Sequence, residues 1–148
     1  MDIDIRLAIR DDLPQLIELE NLSFKHPWKE QDILYEIEEN PVSNFWVLTS
    51  NGQIIGFSDH WITFDSATIA QIAINPNFRR NHLGTSLMKE IIDDCYAKRV
   101  VSITLEVRVS NTSAQAFYLK NGFEQVVIKP HYYDNGEDAI YMMRKVEN

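Results

Sequence analysis

The chain has 148 residues, the length of one ordinary folding unit, and its 45% hydrophobic and 24% charged content excludes a disordered, collagen-like or low-complexity polypeptide. Twenty-two acidic against fourteen basic side chains give a net charge of -8, which repels bulk polyphosphate and argues against direct nucleic-acid binding. The lone Cys95 supplies neither a disulfide nor a zinc site, the charged start Met1-Asp2-Ile3-Asp4-Ile5-Arg6 reads against a secretory peptide, and no apolar run approaches the roughly 20 residues of a membrane span, so a cytoplasmic protein is expected.

Ile3, Ile5, Leu7 and Ile9 alternate with polar residues, the period of a half-buried strand. Asp11-Asp12-Leu13-Pro14 stops it, and an Asp cap with Pro in the first turn opens a helix whose Leu13, Leu16, Ile17, Glu20 and Phe24 lie on or beside one face. A second short helix follows Pro27-Trp28 and ends near Asn40-Pro41. Residues 45–50 read as a strand, Asn51-Gly52 as a tight hairpin turn, and 53–62 as the returning strand; 67–74 adds a third, closed by Asn75-Pro76. Leu87, Met88, Ile91, Ile92 and Cys95 mark a helix from Leu83 to about Lys98. Residues 100–107 are so apolar and β-branched that they predict a central strand covered on both faces. Asn111 caps a further helix through Phe117 and Tyr118, with Gly122 as its C-cap, and strands near 123–129 and 139–145 close the chain. The order β, α, α, β, β, β, α, β, α, β, β predicts one mixed sheet with helices on both faces, an α/β (α+β) unit without internal repeat or linker.

Three segments bear chemistry. Asn75-Pro76-Asn77-Phe78-Arg79-Arg80-Asn81-His82-Leu83-Gly84-Thr85 joins a strand to a helix start, where unpaired backbone N–H groups and the helix dipole favour an anion. It reads either as a site for one discrete anionic ligand or as a solvated basic loop. In Leu105-Glu106-Val107-Arg108-Val109-Ser110-Asn111, Glu106 emerges from an apolar strand, so desolvation should raise its pKa toward that of a general base; the alternative is a structural ion pair with an arginine such as Arg108 or Arg144. Tyr118 lies seven residues after Asn111, so Asn111, Ala114 and Tyr118 share a helix face that can look toward Glu106, although a helical Tyr is by default a core residue.

Together these segments resemble the GCN5-related N-acetyltransferase (GNAT) superfamily and, within it, the ribosomal-protein-alanine N-acetyltransferases. The likeness runs from Arg10-Asp11-Asp12-Leu13-Pro14 and Pro27-Trp28 through Ile72-Ala73-Ile74-Asn75-Pro76 and Leu105-Glu106-Val107-Arg108 to Tyr132-Tyr133 and Gly136-Glu137-Asp138-Ala139. It implies one GNAT domain over residues 1–148, a mostly antiparallel mixed sheet of about seven strands flanked by about four helices. It also implies acetyl-CoA as co-substrate, no metal, and the N-terminal peptide of a ribosomal protein as acceptor, its first residue alanine, acted on by a monomer or weak homodimer.

By the same resemblance Glu106 is the general base and Tyr118 the general acid. Ile72, Ala73 and Ile74 hold the pantetheine arm, Arg79, Arg80, Asn81, His82, Leu83, Gly84 and Thr85 hold the pyrophosphate, and Asn111 contacts the cofactor. The segment from Phe24 to Trp28 and Tyr132, Tyr133 with Asp138 are candidate walls of the acceptor groove, with plain packing as the alternative for Trp28 and one core and one loop residue as the alternative for the two tyrosines. The family's loop pattern is Q/R-x-x-G-x-G/A, and here His82 stands at the first glycine position. The alternatives are a GNAT acetyltransferase for a lysine side chain or small amine and, from another class, a non-catalytic CoA-binding sensor module.

Overall fold

Turn chemistry and apolar period translate into structure in the predicted order. The computed structural model describes residues 2–79 and 81–146. Its elements are β1 (Ile3–Leu7), α1 (Leu13–Ser23), α2 (Glu30–Glu38), β2 (Ser43–Ser50), β3 (Gln53–Thr63), β4 (Ser66–Ile74), α3 (Leu83–Ala97), β5 (Ser102–Arg108), α4 (Thr112–Lys120), β6 (Glu124–Lys129) and β7 (Ala139–Lys145), with single 3₁₀ turns at Arg10–Asp12 and Pro76–Phe78. The hairpin turn forms where Asn51 and Gly52 take positive φ angles of 51° and 85°, a conformation that matches the strand twist and needs these residue types.

The strands make one sheet in the order β1-β2-β3-β4-β5-β7-β6. Every neighbouring pair is antiparallel except β4 and β5. That parallel pair meets only where Ser66, Ala67 and Thr68 face Ser102, Ile103 and Thr104. Beyond it the two strands part. In β4 the register slips opposite Asp59 and His60, leaving Ala70 as an extra residue, and such a bulge bends and twists its strand. β5 cannot follow, because β7 holds it along its whole length, from Ser102 opposite Lys145 to Arg108 opposite Ala139.

Helices cover the two faces separately. Leu16 and Leu19 of α1 and Ile33 of α2 bury against Phe45, Val47, Ile54, Phe57 and Ala73. On the other face Met88, Ile91 and Cys95 of α3 and Tyr118 of α4 pack with Ile69, Ile103, Leu105, Val107, Phe123 and Met142. Each fully buried Leu, Ile or Met contributes about 1.5–3 kcal/mol of apolar transfer, so the helices are held chiefly by these stripes. Cys95 is buried, and desolvation pushes its thiol up to about 12, which leaves it inert.

Two expectations are corrected. β5 is not covered on both faces: Ile103, Leu105 and Val107 are buried, while Ser102, Thr104, Glu106 and Arg108 are only half-buried, and Val100 and Val101 precede the strand. Its apolar composition reflects one core face and a run of short polar or amphipathic side chains on the other. Asp12 is not a side-chain cap of α1. Its carboxylate instead accepts two hydrogen bonds from the Arg6 guanidinium, at 2.8 and 2.9 Å, and one from the Ile9 N–H.

Beneath α2 the fold buries two acids together. The Asp59 carboxyl, completely buried, accepts from Ser43 Oγ at 2.7 Å and faces the carboxyl of Glu36, which in turn accepts from Trp61 Nε1 and Asn40 Nδ2. Burial first, and the neighbouring Glu36 second, push Asp59 up to about 8. A carboxyl whose folded pKa is raised favours the folded state while protonated, so its contribution declines as pH climbs from the usual carboxylate range to about 8. Asp59→Asn mimics the protonated form, and urea denaturation between about pH 5 and pH 9 should therefore show a smaller loss of stability for this variant than for the parent.

Candidate functional site

Where β4 and β5 part, a cleft of about 730 Å³ opens on the α3 and α4 side. Its wall is the end of β4, Ile72, Ala73 and Ile74; its mouth is Phe78, Arg79, His82, Leu83, Gly84 and Thr85; its far side is Asn111, Ser113, Ala114, Phe117, Tyr118 and Lys120, with Ser23 and Phe24 reaching in from α1 and its end. The local sequence explains each edge. Asn75 ends β4 by accepting the Asn77 N–H at 2.9 Å, which turns the chain into α3, and Asn111 Oδ1 accepts the Ala114 N–H at 3.2 Å as the cap of α4. Gly84 lets α3 approach α4 closely: a Cβ there would come within 3.1 Å of Phe117 Cε1, and the Phe117 ring would have to shift by a few tenths of an ångström.

The cleft is apolar in its throat and basic at its mouth, where the first N–H groups of α3 join Arg79 and His82, and Lys120 adds a cation on the far side. It suits an elongated ligand with an anionic end. His82 adopts the left-handed conformation, φ 59°, immediately before α3, at the position where the family pattern has glycine. Arg80 lies outside the described residues. Asn81 is exposed beside the mouth and donates from Nδ2 to the Phe78 carbonyl at 3.2 Å.

Tyr118 and Glu106 stand on opposite faces of the sheet. Tyr118 is 9% exposed, packed edge-on against Phe117 and Phe123, and burial, reinforced by Tyr133, raises its pKa far above that of a free phenol. Its hydroxyl therefore stays protonated. Glu106 alternates with buried Leu105 and Val107 and so faces away from α3, on the side with Thr104, whose Oγ1 lies 3.3 Å from that of Thr68. Glu106 is partly desolvated: its side chain is 21% exposed and accepts from Lys129 Nζ at 2.9 Å. The ion pair exists, but its partner is Lys129, not Arg108 or Arg144. Arg108 binds Glu137 at 3.0 Å, and Arg144 donates to the Asn121 carbonyl at 2.9 Å.

The loop between β6 and β7 stands over this second face. Arg108 stacks its guanidinium 3.9 Å from the Tyr133 ring centre, and Tyr132 meets Tyr133 edge-on at 5.0 Å. Glu137 anchors the loop by accepting the Ser110 N–H at 2.9 Å together with Arg108, and these bonds, the Ser110 ones first, hold its carboxyl down at about 2. Tyr132 is exposed and Tyr133 half-buried. Trp28 packs against the α1 and α2 core, and its backbone N–H donates to buried Glu20 at 2.8 Å.

The acetyltransferase (GNAT) family model matches residues 13–123. The chain belongs to the GNAT acetyltransferase family. It is 34% identical to the ribosomal protein bS18-alanine N-acetyltransferase of Escherichia coli (strain K12) over 134 residues, 88% of this chain and 89% of that protein. The crystal structure of the ribosomal-protein-alanine N-acetyltransferase of Escherichia coli superposes with a TM-score of 0.89 at 31% identity, covering 99% of this chain and 96% of that one. The crystal structure of Ard1 from Thermoplasma volcanium superposes at 0.91 with 30% identity, covering 99% of both.

In this acetyltransferase the cleft gathers most of the residues singled out in the sequence: Ile72, Ala73, Ile74, Arg79, His82, Leu83, Gly84, Thr85, Asn111 and Tyr118. Glu106, Trp28, Tyr132 and Tyr133 do not line it. Phe24, which the sequence reading placed on the acceptor side, reaches the cleft, and sequence reasoning missed Ser113 and Lys120 there and Lys129 beside Glu106. Lys120 follows the Phe117-Tyr118 motif at helical spacing and was legible, whereas the Lys129 contact depends on the register of β6 on β7.

A non-glycine residue in the left-handed region costs about 1–2 kcal/mol, more when β-branched. His82→Val should thus lower stability in urea denaturation by about 1–2 kcal/mol, while His82→Gly should leave it equal or slightly higher, since relief of strain is partly offset by the freer unfolded chain.

Proposed function

We propose that this chain transfers the acetyl group of acetyl-CoA to the α-amine of a ribosomal protein that begins with alanine, with Glu106 as base and Tyr118 as thiolate-side donor. The observation that carries this reading is the single opening between β4 and β5, with Tyr118 on one face and Glu106 on the other. The GNAT family membership supplies the acyl chemistry, and relatives named for alanine N-acetylation of a ribosomal protein supply the acceptor class. The -8 net charge favours encounter with a basic acceptor.

Acetyl-CoA fits the cleft in chemistry. Its diphosphate suits the N–H groups at the start of α3 with Arg79 and Lys120, its pantetheine amides suit the unpaired edge of Ile72–Ala73–Ile74, and the apolar throat accepts the thioester. The acceptor enters from the face of Glu106, between the segment around Phe24 and Trp28 and the loop carrying Tyr132 and Tyr133. An α-amine has a pKa of about 7.7–8.0, so an appreciable minority is already uncharged at neutral pH, and Glu106 takes the proton of the rest. The amine nitrogen then attacks the thioester carbon, and a backbone N–H of the free β4 edge stabilises the oxyanion.

The leaving thiolate, with a pKa near that of a free thiol at about 8.5, is a weaker base than the tyrosinate of Tyr118 would be. Burial of Tyr118 widens that gap. Its hydroxyl therefore acts first as a hydrogen-bond donor to the developing thiolate, and proton transfer follows only as charge accumulates on sulfur.

Glu106→Gln should lower kcat by roughly 10²- to 10⁴-fold with acetyl-CoA affinity nearly intact, and Tyr118→Phe should lower kcat by a smaller factor, both read by thiol release in steady-state assays. Mass spectrometry of peptides that begin with Ala, Ser or Met, or that carry a blocked terminus and an internal Lys, tests the acceptor class. Acetylation confined to the internal Lys would overturn the α-amine reading.

A further inference from the structure

The ammonium of Lys129 sits in a box. Its Nζ donates to Glu106 Oε1 at 2.9 Å, lies 4.4 Å from the ring centre of Tyr141 and 5.4 Å from that of Tyr132. A carboxylate and two aromatic faces converging on one cation is the chemistry that recognises an ammonium group, by charge-assisted hydrogen bonding and by the negative faces of the rings. Glu106 and Tyr141 are cross-strand partners in β5 and β7, so the floor and one wall are fixed by sheet register. Tyr132 closes the box from the loop that Glu137 and Arg108 anchor.

The occupant is less firmly held than its box. Lys129 is the last residue of β6, an edge strand, and its side chain is 38% exposed. Its four-carbon stem reaches solvent by simple rotation, and an ion pair at this exposure is worth little. The acceptor of the proposed reaction arrives carrying an ammonium of the same kind, and it must meet the same carboxylate to lose its proton. Two ammonium groups sharing this box would repel each other at contact distance.

We propose that Glu106, Tyr132 and Tyr141 form the subsite for the acceptor's terminal ammonium, and that Lys129 occupies it as an internal stand-in which the acceptor peptide must displace. This rests on the reading of Glu106 as the acceptor-side base. Lys129 is then a specificity residue: it raises the threshold for binding, so that only a peptide whose following residues fill the groove exchanges its own ammonium for that of the side chain. No bond to Lys129 is made or broken in the exchange; its ammonium moves to water and remains protonated, as the Glu106 contact already favours.

Lys129→Met keeps the stem and removes the charge. Steady-state assays with a free-amine peptide beginning in Ala should give a KM roughly fivefold to twentyfold lower than the parent, with kcat changed little, while Lys129→Arg should stay close to the parent. Calorimetric titration separates this from a general change in the groove: the affinity gain of Lys129→Met should appear for the free-amine peptide and not for the same peptide with an acetylated terminus. Adding Tyr132→Leu should remove much of the gain. A Lys129→Met variant with lower kcat and an unchanged or raised KM would overturn the displacement, assigning Lys129 to the support of Glu106 instead. Glu106→Gln measured alongside keeps the two readings apart: full activity in that variant defeats the base assignment itself, whereas loss of activity there with no KM effect at Lys129 defeats the stand-in alone.

Discussion

The early parting of β4 from β5 is the constraint on which the other features depend. A sheet strand that loses its neighbour exposes a row of N–H and C=O groups that must be satisfied elsewhere, and water or a ligand is the available partner. Here the loss falls in the middle of the sheet, not at its edge, so the unpaired groups lie at the floor of a cleft between two hydrophobic clusters. That location gives an extended ligand strand-like contacts without exposing an aggregating edge. In the reaction proposed above, each substrate would have its own entrance and the reacting atoms would meet within the sheet.

The electrostatic layout follows the same division. Arg79 and His82 stand at the helix start and Lys120 across the same cleft, on the α3 and α4 side of a strongly acidic protein. On the other face the ionisable groups near the opening are tied in pairs, Glu106 with Lys129 and Arg108 with Glu137. The second pair is structural: Glu137 is also bound to the Ser110 N–H, and Arg108 additionally reaches Asn135, so several contacts together hold the loop that carries Tyr132 and Tyr133. The first pair lacks such redundancy. A carboxylate with one exposed lysine partner is suited to exchange that partner, and a carboxylate locked by a backbone N–H and an arginine is suited to stay where it is.

Much of this was legible in the residues. The order of all strands and helices follows from period and punctuation, because Asn51-Gly52, Asn75-Pro76, Asn111 and Gly122 act locally and leave few alternatives. The cofactor-side residues were legible for the same reason: strand end, turn and helix start are consecutive in sequence, so a motif captures them as a block. The acceptor side was not. Glu106 meets Lys129, 23 residues away, through the pairing of β6 on β7 and β7 on β5, and its side chain is left 21% exposed. Composition made 100–107 read as a doubly covered strand, since it cannot distinguish a core face from one that lines a site.

Trp28 marks the same boundary between local and long-range information, and the bulge in β4 accounts for it. In a regular strand, Thr68 and Ala70 would share one face and Ile69 and Gln71 the other. The extra residue at Ala70 reverses the alternation, so Gln71 turns to the α1 face, where its Nε2 donates to Glu20 at 2.7 Å, while Ile72 and Ile74 turn toward α3 and the cleft. Glu20 is 1% exposed; burial raises its pKa, and the two donors that offset this are Gln71 and the Trp28 N–H. A buried carboxyl is tolerated only when its acceptors are engaged, so Glu20 fixes the chain leading from α1 to α2 against β4 at this point. One inserted residue thereby opens the sheet, supplies the apolar wall of one entrance and ties down the segment that flanks the other.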